Sequence, residues 1–346
     1  MPITQRQIAL EAKVSRSTVA AVLSNTQRER FSKEVQERVL ATARKHGYRP
    51  NRYAQVMNHG KSGYIGILGF GTHNSLSYRK LGFATELFRR LEYDWIVHEA
   101  GWYAADEDDV CDLLVQKMID ARVEGVLLIY PPRRFTQGHL ERLRKARIPV
   151  VGVANEHLAD LPSFVSDRSW GYHFLTRHLL SLGHRRLALL YSNPACLEAF
   201  SQALGETPEM AVKARDFLTP EMQMLPVEQL TYLPGWLGMR HLLEQPERPD
   251  AVVCANDAWA LGALKACEEA GLRVPRDIAL TGFDNDPAGA FGTVPLTTID
   301  HPVKETAQQA AEFLLNIIRN QPQPCEQRFV IRGTPIIRRS CGASDG

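Results

Sequence analysis

Hydrophobic residues recur at helical spacing in three short stretches at the start of the chain. Two of these stretches form apolar stripes, which consist of Ile8, Ala9 and Ala12 and of Val19, Val22 and Leu23. A third stretch begins at Ser32, a residue type favoured at helix N-caps, and ends at Gly47. Helices this short must bury their stripes against one another, so the pattern predicts a small three-helix domain.

After residue 63 the pattern changes to short apolar runs that alternate with stretches of helical period. The expected strands cover residues 64–70, 123–130, 149–153, 186–191, 251–254, 278–283 and, last, 328–339. The expected helices cover residues 80–90, 110–121, 136–146, 170–182, 237–243, 258–270 and 304–319. Such alternation is typical of parallel sheets covered on both faces and predicts a doubly wound α/β body. Residues 204–229 indicate only an uncertain helix and strand.

Charge is divided unevenly between these two parts. Residues 1–61 contain twelve Lys and Arg against four Glu, a net charge of +8, whereas the remaining residues carry a net charge of −6. A basic domain on a mildly acidic body is the charge distribution of a protein that neutralises phosphate groups. We therefore favour nucleic-acid binding over the alternative that the first two helices serve packing alone.

The turn between the first two helices has the chemistry of a DNA-reading element. Residues 12–15 form the turn, and Ser15 is suited to cap the second helix. Arg16, Ser17 and Thr18 follow in the exposed first turn of that helix. Residues at this end of the second helix of a helix-turn-helix contact base edges in the major groove.

The chain resembles the LacI/GalR (lactose-repressor-type) transcriptional regulators nearly from end to end. Tyr48, Pro50 and Asn51 precede a short segment as they do before the hinge helix of that family. Further family signatures follow in order at residues 182–188, 255–257, 272–278, 282–285 and 295–299. The resemblance implies an all-α helix-turn-helix domain with a hinge helix, followed by an α/β two-lobe body like a periplasmic binding protein, with parallel sheets and three crossovers.

The resemblance also implies where these parts begin and end. The DNA-binding domain would occupy residues 1–49, the hinge helix and linker residues 50–62, and the effector-binding and dimerisation body residues 63–340. Lobe 1 would comprise about 63–164 and 296–326, and lobe 2 about 165–295 and 327–340. The chain would cross between the lobes near Val165, Pro295 and Gln327.

In the family the hinge helix enters the minor groove, and residues 51–58 would form it here. Met57 occupies the wedge position, usually leucine, and Ala54 lies one turn earlier on the same face. Inserting an apolar wedge unstacks a base step and kinks the duplex. A linker helix that packs on the body is the alternative. The residues expected to contact DNA are Thr4, Ser15, Arg16, Ser17, Thr18, Arg30, Ser32, Asn51, Arg52, Ala54 and Met57.

An effector in the cleft between the lobes is implied as well. The residues expected to contact it are Gly71, Asp167, Tyr232, Asp257 and Asp284. Carboxylates at strand ends can accept hydrogen bonds from ligand hydroxyls or amines. Capping is an equal alternative for Asp167 and Asp257, since each precedes a predicted helix. Tyr232 aligns with an aromatic residue that covers the ligand in relatives, although a tyrosine before Pro234 and Gly235 is equally suited to anchor a turn.

Four departures from the family pattern bear on specificity. The arginine that sugar-responsive relatives carry after the strand at residues 187–191 is absent. The loop at residues 71–78 lacks Asn-Pro-Phe-Phe, and either places His73 or Tyr78 at the cleft or forms a surface turn. Ala21 replaces a base-reading arginine, and Lys13 stands where relatives often have a left-handed glycine, at a cost of about 1 kcal/mol. We therefore assign no particular sugar.

The implied function is negative control of transcription by a homodimer on a pseudo-palindromic operator, modulated by a sugar or other metabolite. Whether the effector induces or corepresses stays open, as do activation of some promoters and small-molecule binding without a DNA role. An oxidoreductase is disfavoured because residues 66–71 read G-x-x-G-x-G rather than G-x-G-x-x-G.

The remaining sequence features bear on catalysis, on the redox state of the cysteines and on the location of the protein in the cell. We expect neither an enzyme nor a cofactor or metal, because no nucleophile with a positioned base emerges. The six scattered cysteines fit reduced thiols. Without a leader or a long apolar run, the chain is expected in the cytoplasm, which excludes a secreted receptor.

Overall fold

The computed structural model describes residues 3–23, 30–48, 62–70, 75–100, 110–132, 134–155, 157–191, 194–205, 210–213 and 227–343. The chain divides into two compact units. The first contains residues 1–64 with residues 122–124, and the second contains residues 65–121 and 125–346.

The N-terminal unit contains the three predicted helices. They are α1 (Gln5–Glu11), α2 (Arg16–Leu23) and α3 (Lys33–Lys45). Their shared core consists of Ile8, Ala9, Ala12, Val19, Val22, Val39 and Ala43. These residues include most of both predicted stripes, so the helical period correctly identified the buried faces. Gly47 ends the third helix with a φ of +60°, as its position predicted.

The body alternates strands and helices along the chain. Its elements are β1 (Tyr64–Phe70), α4 (Ser75–Arg90), β2 (Asp94–Ala100), α5 (Val110–Asp120), β3 (Gly125–Ile129), α6 (Gln137–Lys145), β4 (Val150–Val153), β5 (Ser163–Ser166), α7 (Arg168–Ser181), β6 (Leu187–Tyr191), α8 (Pro194–Leu204), β7 (Met210–Lys213), α9 (Val227–Leu243), β8 (Ala251–Cys254), α10 (Asp257–Glu269), β9 (Ala279–Thr281), α11 (Pro287–Phe291), β10 (Thr298–Asp300), α12 (Val303–Ile318), β11 (Arg328–Ile331), β12 (Thr334–Ile336) and a 3₁₀ turn (Arg339–Cys341).

Two sheets define two lobes within this body. The first sheet has the order β11-β5-β4-β3-β1-β2, and the second has the order β7-β6-β8-β9. Every strand pair with a recorded register in these two sheets is parallel. The doubly wound α/β prediction is therefore confirmed, and the strand ends of each sheet meet at one edge.

The third lobe crossing lies later in the chain than predicted. The segment expected as one strand over residues 328–339 is two strands in different sheets. Arg328–Ile331 pairs in parallel with Ser163–Ser166, which satisfies the edge of the first sheet. The chain leaves the first sheet after Ser166, next to the position expected near Val165, and again after Ile331, a few residues beyond the position expected near Gln327.

The second and third crossings form a small sheet of their own. Thr298–Asp300 pairs antiparallel with Thr334–Ile336, and the adjacent Thr297 forms a parallel bridge with Thr281 of the second sheet. The second crossing thus follows the predicted position at Pro295 by a few residues. Two of the three chain segments that connect the lobes are therefore hydrogen-bonded to each other through their backbones.

Two glycines allow α9 and α10 to pack closely. A Cβ at Gly235 would lie 2.0 Å from the Trp259 carbonyl oxygen, and one at Gly262 would lie 2.2 Å from that of Tyr232. Tyr232 and Pro234 both lie inside α9. The alternative that Tyr232 anchors a turn is wrong, because this helix begins at Val227 rather than at residue 237.

Among the residues that the structure describes, no helix has the length and apolarity to span a bilayer.

Candidate functional site

The start of α2 is organised by Ser15, as its position predicted. The Thr18 backbone N–H donates to Ser15 Oγ at 3.0 Å, and the same oxygen lies 2.7 Å from Ser17 Oγ and 2.8 Å from Thr18 Oγ1. Ser15 is thus the N-cap of the helix. Arg16 and Ser17 are exposed beside this cap, whereas Thr18 is half-buried.

The turn that precedes this helix is stabilised by contacts with α3. Lys13 adopts the left-handed conformation with a φ of 52°, as the family's glycine at that position implied. The Arg38 guanidinium of α3 donates through Nε to the Ala12 carbonyl at 2.8 Å. Glu11 pairs with Lys45 Nζ at 2.6 Å, which fixes the end of α1 against α3. Sequence periodicity carried no signal for either contact.

The remaining residues predicted to contact DNA are two helix caps, one exposed arginine and four hinge residues. Thr4 caps α1 in a capping box with Gln7, and Ser32 caps α3 by accepting from Val35 N–H at 3.4 Å. Arg30 is exposed. The hinge residues Asn51, Arg52, Ala54 and Met57 lie outside the described residues.

The second candidate site is a polar cluster to which both lobes contribute, with Lys80 and His301 buried and the other members half-buried. We define the charge cluster as Lys80, Tyr130, Arg168, Asp284 and His301. Lys80 and Tyr130 belong to the first lobe, and Arg168 and Asp284 to the second. His301 follows β10 at a lobe crossing. Most of these residues follow the carboxyl end of a strand, where ligands bind in open α/β sheets.

Arg168 is held in place by the second lobe. Its Nη2 donates to the Ala255 carbonyl at 2.8 Å and to Tyr172 Oη at 2.9 Å. Its guanidinium carbon lies 4.5 Å from the centre of the Phe283 ring. The other terminal nitrogen, Nη1, lies 3.6 Å from Asp284 Oδ1. One side of the guanidinium is therefore anchored while the other faces a carboxylate.

Asp284 adopts an unusual backbone conformation at the end of β9. Its φ is 116°, a value that L residues rarely adopt. The loop is nevertheless fixed, because the Asp284 N–H donates to the Ile299 carbonyl at 2.9 Å. Asp284 Oδ1 is buried and has no hydrogen-bond partner among the described residues. Burial raises the pKa of Asp284 to about 6, against the opposing influence of Arg168 and Lys80.

Lys80 is fully buried, with no exposed surface. Its Nζ donates to Tyr130 Oη at 2.6 Å and lies 4.5 Å from the centre of that ring. Burial lowers the pKa of Lys80 to about 7, and the Asp284 carboxylate opposes that shift. Tyr130 itself has a φ of 52°, so strained backbone occurs on both sides of the charge cluster.

His301 adds a neutral imidazole to the charge cluster. Burial, followed by the positive charge of Lys80, holds its pKa well below the ordinary value. Its Nδ1 is buried and without a hydrogen-bond partner in the part of the chain that is described. The cluster thus offers two cations, a carboxylate and an imidazole to a small polar ligand.

Asp257 supports the loop that carries Asp284. Its backbone N–H donates to the Phe283 carbonyl at 2.8 Å, and its Oδ2 accepts from the Asp286 N–H at 2.6 Å. Asn256 caps α10, so the alternative that Asp257 is the cap is wrong. Burial, with a further contribution from Asp284, raises the pKa of Asp257 to about 7.

The other predicted effector residues lie apart from these contacts. Asp167 caps α7 by accepting from Trp170 N–H at 3.0 Å, and its Oδ2 lies 3.2 Å from Arg332 Nε. Tyr232 is 43% exposed on α9. Gly71 lies outside the described residues.

Sequence reasoning missed Lys80, Tyr130 and Arg168 and treated His301 only as a crossing residue. One signal was present for Lys80, since Leu76, Lys80, Ala84 and Phe88 follow each other at four-residue intervals and are all buried. A lysine on an apolar helical stripe marks a buried charge, which proteins normally keep paired. No local signal identified Arg168.

Two family models match this chain. The model for bacterial regulatory proteins of the lacI family matches residues 4–51, and the model for a periplasmic binding protein-like domain matches residues 176–341. The chain is 30% identical over 347 residues to the HTH-type transcriptional repressor PurR of Escherichia coli O139:H28, which spans 93% of each chain. It is 27% identical over 344 residues to the ribose operon repressor of Haemophilus influenzae, which spans 97% of this chain and 98% of the relative.

Solved structures show the same architecture. The lac repressor dimer bound to operator and the anti-inducer ONPF superposes with a TM-score of 0.81 at 22% identity, covering 99% of this chain and 100% of that one. The transcriptional regulator CelR in complex with cellobiose superposes with a TM-score of 0.68 at 21% identity, covering 98% of this chain and 99% of that one.

A helix-turn-helix head followed by a two-lobe α/β body defines a DNA-binding transcriptional regulator. The chain belongs to the LacI family of bacterial regulatory proteins.

Proposed function

We propose that the protein is a homodimeric repressor whose affinity for a pseudo-palindromic operator is changed by a small molecule bound at the charge cluster. The observation that carries this proposal is the presence, in one chain, of a helix whose first turn is exposed for DNA reading and of a polar cluster to which both lobes contribute. The protein would act on chromosomal DNA in the cytoplasm, without catalysis.

The head supplies the groups that DNA recognition needs. Arg16 is exposed in the first turn of α2, and a guanidinium there can form two hydrogen bonds to guanine in the major groove. Ser17, exposed beside it, can donate to or accept from a base edge or a phosphate. Residues 1–61 carry a net charge of +8, which favours phosphate contacts. The hinge wedge at Met57 would add a kink between two half-sites.

The charge cluster is connected to the segments that join the lobes. The Asn285 side chain donates to Asp300 Oδ1 at 3.2 Å and accepts from Arg338 Nη2 at 2.7 Å. Asp300 belongs to β10 and Arg338 follows β12, so both crossing segments contact the loop of Asp284. A ligand that binds Asp284 can therefore favour one arrangement of the lobes.

The effector would act by its differential affinity for two such arrangements. Coupling free energies of this kind are typically about 1 to 3 kcal/mol, which changes operator affinity about 5- to 150-fold. Whether the ligand weakens or strengthens operator binding depends on which arrangement it prefers.

Mapping of genomic fragments bound by the purified full-length protein tests this function. We expect enrichment of a pseudo-palindrome with a flexible central step, and loss of specific binding in Met57→Gly with nonspecific binding retained. Failure to enrich any motif, both alone and with added metabolite extract, would contradict the proposal.

A further inference from the structure

Neither cation of the charge cluster, the buried Lys80 or the half-buried Arg168, has a hydrogen-bonded counterion within the described residues. Lys80 Nζ donates to a neutral phenol, and Arg168 Nη2 donates to a carbonyl and a phenol. Asp284 lies near Arg168, but at 3.6 Å its Oδ1 forms no hydrogen bond. Buried charges in proteins are as a rule both paired and hydrogen-bonded, so this arrangement is incomplete without another anion.

The remaining polar atoms point to hydroxyl groups next to that anion. Asp284 Oδ1 and His301 Nδ1 are buried acceptors or donors without a partner among the described residues. A carboxylate oxygen accepts only, whereas a neutral imidazole nitrogen can do either. Hydroxyl groups can satisfy both, and an apolar ligand can satisfy neither.

We infer that the effector is an anionic polyhydroxylated small molecule, whose acidic group binds Lys80 and Arg168 and whose hydroxyls bind Asp284 and His301. This inference rests on the proposed function and names the ligand class of the same site. The acidic group is a carboxylate or a phosphate monoester. Either one would accept from the ammonium of the first lobe and from Nη1 of Arg168 in the second, so it would draw the two lobes together.

Titration of the site supports an anionic ligand. Burial lowers the pKa of Lys80 to about 7, so part of its population is neutral near neutral pH. An anion in contact with Nζ favours the charged form and must raise that pKa. Binding should therefore take up protons, and affinity should increase as the pH falls through neutrality. Asp284, whose negative charge opposes the lowering of the Lys80 pKa, itself has a pKa of about 6 and titrates in the same range, so the Lys80→Met variant is needed to assign the proton uptake to Lys80.

The test is a ligand panel on the full-length protein, measured by thermal shift and then by calorimetry. The panel contains neutral hexoses, the aldonic and hexuronic acids derived from them, and their 6-phosphates. We expect stabilisation by members of one acidic group and none by the matched neutral sugars. Comparison of the sugar acids with the sugar 6-phosphates shows whether the acidic group of the ligand is a carboxylate or a phosphate. Stabilisation by a neutral sugar alone, or by no member of the panel, would overturn the inference.

Variants of the two cations test whether they bind the acidic group of the ligand. Lys80→Met and Arg168→Gln should each weaken binding of the acidic ligand about 10- to 100-fold, as loss of a charge-assisted hydrogen bond requires. Lys265→Met removes an exposed lysine of α10 and should leave the affinity unchanged. Calorimetry in buffers of different ionisation enthalpy should show proton uptake with the parent and none with Lys80→Met. If both Lys80→Met and Arg168→Gln bind the acidic ligand with the affinity of the parent protein, the assignment is contradicted.

The same protein is tested in parallel for operator binding. Operator binding modulated only by a neutral sugar would overturn the ligand class and leave the proposed function standing. Acid binding without any sequence-specific DNA binding would leave the ligand class standing and overturn the proposed function.

Discussion

Asp284 and Arg168 face each other at 3.6 Å, from Oδ1 to Nη1, across the end of the second sheet. Arg168 begins α7 and Asp284 follows β9, so distant parts of the chain supply the two groups. Sugar-responsive relatives were expected to place an arginine after β6, and this sequence lacks it. The structure instead brings the guanidinium of Arg168, at the start of α7, to the Asp284 carboxylate.

Replacing Asp284 by Asn should abolish the response to ligand. The amide keeps the size of the side chain but loses the charge opposite Arg168 and one of two acceptor oxygens. Fluorescence anisotropy of a labelled operator duplex, titrated with the stabilising compound of the panel, measures the response. Asp120→Asn, an exposed carboxylate on α5, is the matched control. A response of parental size in Asp284→Asn would exclude Asp284 from ligand binding.

Replacing Asp257 by Asn should change how stability depends on pH. The folded-state pKa of Asp257 is about 7, whereas an unfolded aspartate has a pKa of about 3.9. A group with a raised folded pKa contributes stability below the unfolded value, and that contribution is lost as the pH rises through the folded value. Asn can still accept from the Asp286 N–H without this penalty.

The variant should therefore become more stable than the parent as the pH rises from about 4 to about 7, by at most about 4 kcal/mol in the free energy of unfolding. Urea unfolding at a series of pH values measures the difference. Asp120→Asn should follow the parental profile. Parallel profiles for Asp257→Asn and the parent would show that Asp257 is not the titrating group.

Replacing Arg16 by Ala should relax base preference at one operator position. Loss of a bidentate contact to a base edge costs about 1 to 3 kcal/mol. Competition binding with single-base operator variants measures the preference. Arg89→Ala, which removes an exposed arginine on the body, should retain it. If Arg16→Ala lowers affinity equally for all sequences, the side chain contacts phosphate rather than a base.

Replacing Lys13 by Gly should stabilise the head. The left-handed conformation at a φ of 52° costs a side-chain-bearing residue about 1 kcal/mol, and glycine adopts it without that cost. Hydrogen exchange of the α1 and α2 amides in the full-length protein measures the opening free energy. Lys13→Ala keeps the strain and should not gain protection. Equal protection in both variants would assign the effect to the lost charge instead.

Two substitutions of Asp167 separate capping from ligand binding. Asp167→Ala removes the acceptor for Trp170 N–H and should cost about 0.5 to 2 kcal/mol in the free energy of unfolding. Asp167→Asn retains an acceptor and loses only the exposed pair with Arg332, which should cost less than about 1 kcal/mol. Thermal denaturation measures both variants. Ligand affinity that falls sharply in Asp167→Asn would indicate direct contact with the effector.

Local patterns identified most elements and missed those without a strong period. The strand at residues 64–70 was predicted with its observed bounds, because a short run made almost entirely of apolar residues and glycine is typical of a buried parallel strand. The strand Asp94–Ala100 was missed because charged residues occupy both of its ends. The helix Pro194–Leu204 was not among the predicted helices either.

The sequence by itself determined the three-helix head, its Ser15 and Ser32 caps, the alternation of strands and helices, and the charge difference between head and body. These properties are local, because helix caps and the periods of buried residues depend on neighbours within a few positions. Only the tertiary structure decided that β11 completes the first sheet, that Asn256 rather than Asp257 caps α10, and that Arg168 lies beside Asp284. Contacts of this kind join residues far apart in the chain, and their proximity is set by the way the lobes and their crossings pack rather than by any spacing along the sequence.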